Sequence, residues 1–91
     1  MIRLNCFFQA KAGRLDDALA AAKALTAASL EQDGCIAYDV FESATRAGVL
    51  LICETWRDDQ ALAAHSASEP FAQYVAVLND AGTMKIEQFA F

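Results

Sequence analysis

Residues 49–56 read Val49-Leu50-Leu51-Ile52-Cys53-Glu54-Thr55-Trp56. Val49 to Cys53 are all apolar, so this stretch is a β-strand with both faces covered, not one alternating between core and water. Glu54 and Trp56 close it on the same parity and therefore point to the same face. On its amino side, residues 44–48 (ATRAG) form a hairpin connection ending at Gly48. That connection leads back to a strand over 35–43, where Ile36, Tyr38 and Val40 alternate with Ala37, Asp39 and Phe41. On its carboxyl side, Asp58 is an N-cap for a short helix over 59–66.

Further out, residues 2–9 alternate as a first strand. Ile2, Leu4, Cys6 and Phe8 share one face, and Arg3, Asn5, Phe7 and Gln9 share the other. Residues 14–32 follow as a helix, with Leu15, Leu19, Ala22 and Leu30 on one side, Leu25 at its edge, and Asp16, Asp17, Lys23 and Glu31 opposite. Thr26 and Ser29 fall inside the apolar sector. Gly34 is expected as the left-handed cap of that helix. Pro70 opens a third helix whose Phe71, Tyr74, Val75 and Leu78 share a face. Asn79 to Gly82 form a turn, and 83–91 a last strand with Phe89 and Phe91 on one side and Ile86 on the other. The order β-α-β-β-α-β in 91 residues is a single domain, residues 1–91, of α+β class: a ferredoxin-like sandwich with helices on one sheet face. The other face carries apolar residues too, so a second copy of the chain is expected to cover it.

Composition agrees with that expectation. The chain is 56% hydrophobic, with 20 alanines, and its mean hydropathy is +0.23. The alanines gather in the helices while the larger apolar residues gather in the strands. A net charge of −5 without a Lys/Arg cluster argues against nucleic acid and against an anionic membrane surface as partners. No apolar run is long enough to span a membrane and no leader-like segment opens the chain, so the expected location is cytoplasmic. Cys6, Cys35 and Cys53 lack metal-site spacing and read as reduced, buried thiols without a basic neighbour to activate them.

The order and spacing of several residues resemble the antibiotic biosynthesis monooxygenase family of the dimeric α+β barrel group. They are Ala12-Gly13 before the first helix, Gly34-Cys35 with Tyr38, Glu54 with Trp56, and the series Ala61, Leu62, His65, Ser68, Phe71. The resemblance implies a homodimer whose sheets pack into a barrel, with a pocket in each subunit between sheet and helices. It further implies oxidation of a small aromatic quinol or phenol by O2 with no metal, no flavin and no other cofactor. Other members open or isomerise small carbonyl compounds; an isomerase or lyase on such a compound, or a non-catalytic ligand-binding stress-response domain, remains an alternative. Two departures bear on mechanism. Ile52 stands where quinone-forming members carry an asparagine, and the helix after Pro70 lacks the axial histidine of the haem-degrading members.

Among candidate catalytic residues, His65, the only histidine, is either a base near neutral pH or a tether for the following loop. Trp56 is either a flat wall and N–H donor for an aromatic substrate or a core anchor. Glu54 either orients the imidazole or makes a structural hydrogen bond. Tyr38, Phe71 and Tyr74 are candidates for substrate binding, with plain core packing as the alternative. Ser29 either faces the pocket or bonds back to its own helix.

Overall fold

The computed structural model describes residues 1–91. Its elements are β1 (Ile2–Ala10), α1 (Leu15–Leu30), β2 (Cys35–Glu42), β3 (Val49–Trp56), α2 (Asp59–Ser66), α3 (Glu69–Ala81) and β4 (Gly82–Ala90). The sheet runs in the order β2-β3-β1-β4 with every neighbouring pair antiparallel. This is the α+β ferredoxin-like fold. Alternation places Ile2, Leu4, Cys6 and Phe8 of β1 and Leu50, Ile52, Glu54 and Trp56 of β3 under the helices, and all eight are buried. The central pair is in register, Leu4 opposite Glu54 and Cys6 opposite Ile52.

Three local expectations are corrected. First, α1 ends at Leu30, two residues early. Its C-cap is Glu31 in a right-handed conformation. Gly34 has φ +81° but sits in the turn that enters β2, where a side chain would strike Ala61 of α2. Second, the buried stripe of α1 is Ala18, Ala21, Ala22, Leu25 and Ser29, while Leu30 is 52% exposed. Alanines, Ser29 and Leu25 face inward, while Leu15 and Leu19 are only partly buried at the edge of the helix. Third, the expected turn at Asn79–Gly82 continues α3 to Ala81, and β4 begins directly at Gly82. A Cβ at Gly82 would meet the β1 backbone at Gln9 and Ala10, so the direct passage from helix to strand requires glycine there.

β2 carries an irregularity between Cys35 and Ala37 opposite Trp56 and Thr55. The extra residue, Ile36, is turned out to solvent, while Tyr38 and Val40 keep the inner face beside Glu54 and Ile52. The outer sheet face has no helix over it. There Phe7, Phe41 and Phe89 are 40%, 52% and 49% exposed. No helix is long and apolar enough to cross a membrane.

Candidate functional site

A cavity of about 440 Å³ lies between the inner sheet face and helices α2 and α3. Its walls are apolar over most of their extent: Leu4, Leu25, Ile52, Leu62, Phe71, Val75, Leu78, Met84 and Ile86. Polar groups gather at one end, where Glu54, Tyr38, Cys6 and His65 meet. Ser66, Asn79 and Gln88 complete the lining. No lysine or arginine faces the space. A mostly apolar cavity with a few convergent polar groups is the usual form of a small-molecule site.

Glu54 is the centre of the polar end. Strand parity puts its carboxylate under the helices, where the residue is only 4% exposed. The Trp56 indole N–H donates to Oε1 at 2.9 Å, and the Cys6 thiol lies 3.9 Å from Oε2. Burial pushes the Glu54 carboxyl above its ordinary range, against the pull of Trp56, Tyr38 and Cys6, which favour the anion. The same burial, with Glu54 beside them, pushes the Tyr38 hydroxyl up and the Cys6 thiol up to about 12. Cys6 is therefore a neutral lining group rather than a nucleophile.

His65 comes from α2, whose start is set by the Asp58 side chain accepting from the Ala61 N–H at 2.9 Å. Its ring is stacked against Trp56 with centroids 4.4 Å apart and meets the edge of Phe71 at 5.2 Å. Nε2 lies 3.9 Å from Glu54 Oε1, and Nδ1 lies 2.7 Å from Gln32 Oε1. Burial pushes its pKa down to about 4, so the ring is neutral at ordinary pH. His65 also forms a wall of a second, polar cleft of about 330 Å³ on its far side, lined by Gln32, Asp33, Arg57 and Gln60. The Arg57 guanidinium there is already engaged by Asp33 and Asp58 at 3.2 and 3.3 Å.

The structure brings Tyr38, Glu54, His65 and Phe71 together around one cavity. It does not bring Trp56, Tyr74 or Ser29 to that surface. Trp56 is completely buried behind His65, so it is not a wall for a substrate. It reaches the cavity only through Glu54. Tyr74 lies beyond the cavity, beside Arg14, Ala21 and Val77, because α3 turns Phe71, Val75 and Leu78 inward. Ser29 is fully buried beside the Tyr38 hydroxyl and does not line the cavity, whereas Thr26 bonds back to the Ala22 carbonyl at 2.8 Å. Of the cysteines only Cys6 is buried; Cys35 and Cys53 are partly exposed. Sequence reasoning missed Gln32, which was expected inside α1, and the cavity role of Cys6, whose parity with Leu4 was the available signal. No group of three or more His, Cys, Asp or Glu side chains is arranged to hold a metal ion.

The chain is similar to several known proteins. A conserved protein of unknown function from Bacteroides thetaiotaomicron VPI-5482, described as a possible oxidoreductase, shares 50% identity and a TM-score of 0.96 over 99% of this chain and 96% of its own. Rv0793 from Mycobacterium tuberculosis has a TM-score of 0.92 at 25% identity, covering 99% of this chain and 93% of its own. "Putative monooxygenase YcnE" of Bacillus subtilis (strain 168) is 28% identical over 76 residues, which is 84% of this chain and 80% of that protein. These likenesses support a monooxygenase-type function in general terms. The family model "Antibiotic biosynthesis monooxygenase" matches residues 1–77, and the chain belongs to that family.

Proposed function

We propose that this protein is a cofactor-independent monooxygenase that oxidises a small, neutral aromatic quinol or phenol with O2, working as a homodimer. The observation that carries the reading is the cavity: mostly apolar walls with a cluster of polar groups around Glu54, its only ionisable carboxyl, and no cation. Such a space favours an uncharged aromatic body and leaves a carboxylate or phosphate substituent without a counter-charge.

In this mechanism the substrate hydroxyl enters the polar end. Neutral His65 removes its proton, and Glu54 stabilises the imidazolium that results. The Tyr38 hydroxyl donates to Glu54 and so holds that carboxylate as the anion beside the imidazolium. The substrate anion, held away from water, passes an electron to O2. In a phenol-to-quinone conversion, one oxygen atom becomes the new carbonyl. The other leaves as water with the hydroxyl hydrogen and the displaced ring hydrogen, so no external reductant is consumed. The outer sheet face, with Phe7, Phe41, Phe89 and partly buried Leu51, is the surface that a second copy covers.

The test is turnover of naphthols, anthrols and hydroxy-ketones in air and under nitrogen. Oxygen-dependent product is expected, with His65→Ala lowering kcat/KM by about 10²-fold or more while the fold persists. Unchanged kinetics in that variant rejects the assignment of the base. Carboxylated analogues should bind at least about tenfold more weakly than their neutral parents. The Glu54–His65 pair also suits a proton shift in an enolisable carbonyl compound, an isomerase reading that product formation under nitrogen would favour. Binding without turnover would instead indicate a non-catalytic ligand-binding domain.

A further inference from the structure

We infer that Gln32 and Ser68 are positioning residues that lock His65 in its Nδ1–H tautomer, so that Nε2 presents a free lone pair toward Glu54. The assignment follows from counting hydrogens around a closed ring of three bonds. Ser68 Oγ lies 2.6 Å from the His65 backbone carbonyl. A carbonyl has no hydrogen to give, so the single hydroxyl hydrogen of Ser68 must lie in that bond. Ser68 Oγ can then only accept from Gln32, 3.1 Å away. This sets the Gln32 amide with its NH2 toward Ser68 and its carbonyl oxygen toward the imidazole. That oxygen is 2.7 Å from His65 Nδ1, and two acceptors cannot face each other at that distance, so Nδ1 carries the proton.

The consequence lies on the opposite side of the ring. Nε2 and Glu54 Oε1 stand 3.9 Å apart, beyond hydrogen-bond reach. Oε1 already receives the Trp56 N–H. Two acceptors thus face each other across a gap at the edge of the cavity, and a ligand hydroxyl is the donor that fits there. Gln32 lies in the polar cleft and not in the cavity, so it acts on the cavity only through His65. The groups that face His65 are Glu54 from β3, Tyr38 from β2, Phe71 from α3 and Trp56 against its plane. Asp33 and Arg57 share the cleft but neutralise one another. The tautomer stands on geometry alone. Its catalytic consequence rests on the proposed role of His65 as base.

Nitrogen-15 NMR tests this directly, because the chain has a single histidine. The wild-type protein at pH 7 should show a protonated, pyrrole-like Nδ1 and an unprotonated, pyridine-like Nε2. Gln32→Met should lose that pattern and shift population to the Nε2–H form. Gln32→Glu should keep Nδ1–H and raise the His65 titration midpoint by at least about one pH unit. Ser68→Ala frees the Gln32 amide to flip and should mix the tautomers, and Ser68→Thr should restore the wild-type spectrum. A dominant Nε2–H form in the wild type, or an unchanged spectrum in folded Gln32→Met, overturns the inference. If wild-type turnover exists, Gln32→Met should lower kcat more than it changes KM. If no substrate is ever turned over, the proposed function fails while the NMR result still decides the tautomer.

Discussion

At the scale of single residues, the polar end of the cavity is governed by burial. His65 is 3% exposed, and its pKa falls from 6.5 to about 4 because desolvation penalises the imidazolium. Above pH 6.5 the ring is neutral in folded and unfolded chains alike. As pH drops from 6.5 toward 4 only the unfolded chain takes up the proton, so stability is lost across that window, by about 3 kcal/mol at most. Below it both states are charged and the loss stops. Glu54 works the other way: its raised pKa favours the folded state in acid and costs stability as pH rises through it. Urea unfolding at pH 7 and pH 4.5 should therefore show a smaller acid-induced loss in His65→Phe than in the wild type. The free protein's kcat/KM should likewise fall on the acid side near pH 4, not near 6.5. Trp56→Phe removes the one close donor to Glu54 Oε1 and shrinks a fully buried side chain. A destabilisation of about 2–4 kcal/mol is expected by urea titration.

At the scale of elements, the site is assembled where α1 ends. The early stop at Leu30 frees Gln32 to turn toward α2, and Gly34 brings the chain back at φ +81° while its carbonyl accepts from the Arg57 N–H at 2.8 Å. Gly34→Ala adds a Cβ against Ala61 in a left-handed conformation. It should cost about 1–3 kcal/mol and disturb the His65 NMR signals, since α2 is the element displaced. Asp58→Ala removes the α2 cap and should cost about 1 kcal/mol, read as a lower Tm with the cavity residues intact. The strands and their parities were legible because apolar alternation is a local property with a period of two. The end of α1 was not, because local propensity favours continuing through Glu31 and Gln32. Bonds from Gln32 to residues 33 and 36 positions away accompany the turn out of the helix.

At the scale of the whole molecule, the sheet has helices on one side only. The uncovered side presents three large aromatics, Phe7, Phe41 and Phe89, together with Phe91 beneath the Arg3 guanidinium at 5.4 Å. Exposed apolar surface of that kind marks an association face. Light scattering at micromolar concentration should give twice the 9.8 kDa chain mass. Phe7→Glu should shift the protein toward monomer with the inner-face core unchanged, and a wild-type monomer would contradict the proposed dimer.

Element order, strand parity, the inward direction of Glu54, and the apolar outer face were all readable along the chain, because each depends on neighbours a few positions away. So was the family resemblance. The division of labour among the candidate residues was not. Trp56, Tyr74 and Ser29 carry the right chemistry, but His65 of α2 covers Trp56, α3 turns Tyr74 away from the cavity, and Ser29 is buried on the inner side of α1. Cys6 and Gln32 acquire their places from contacts across the fold. The charge of His65 depends on how much water its surroundings exclude, and that exclusion exists only once sheet and helices have closed around the ring.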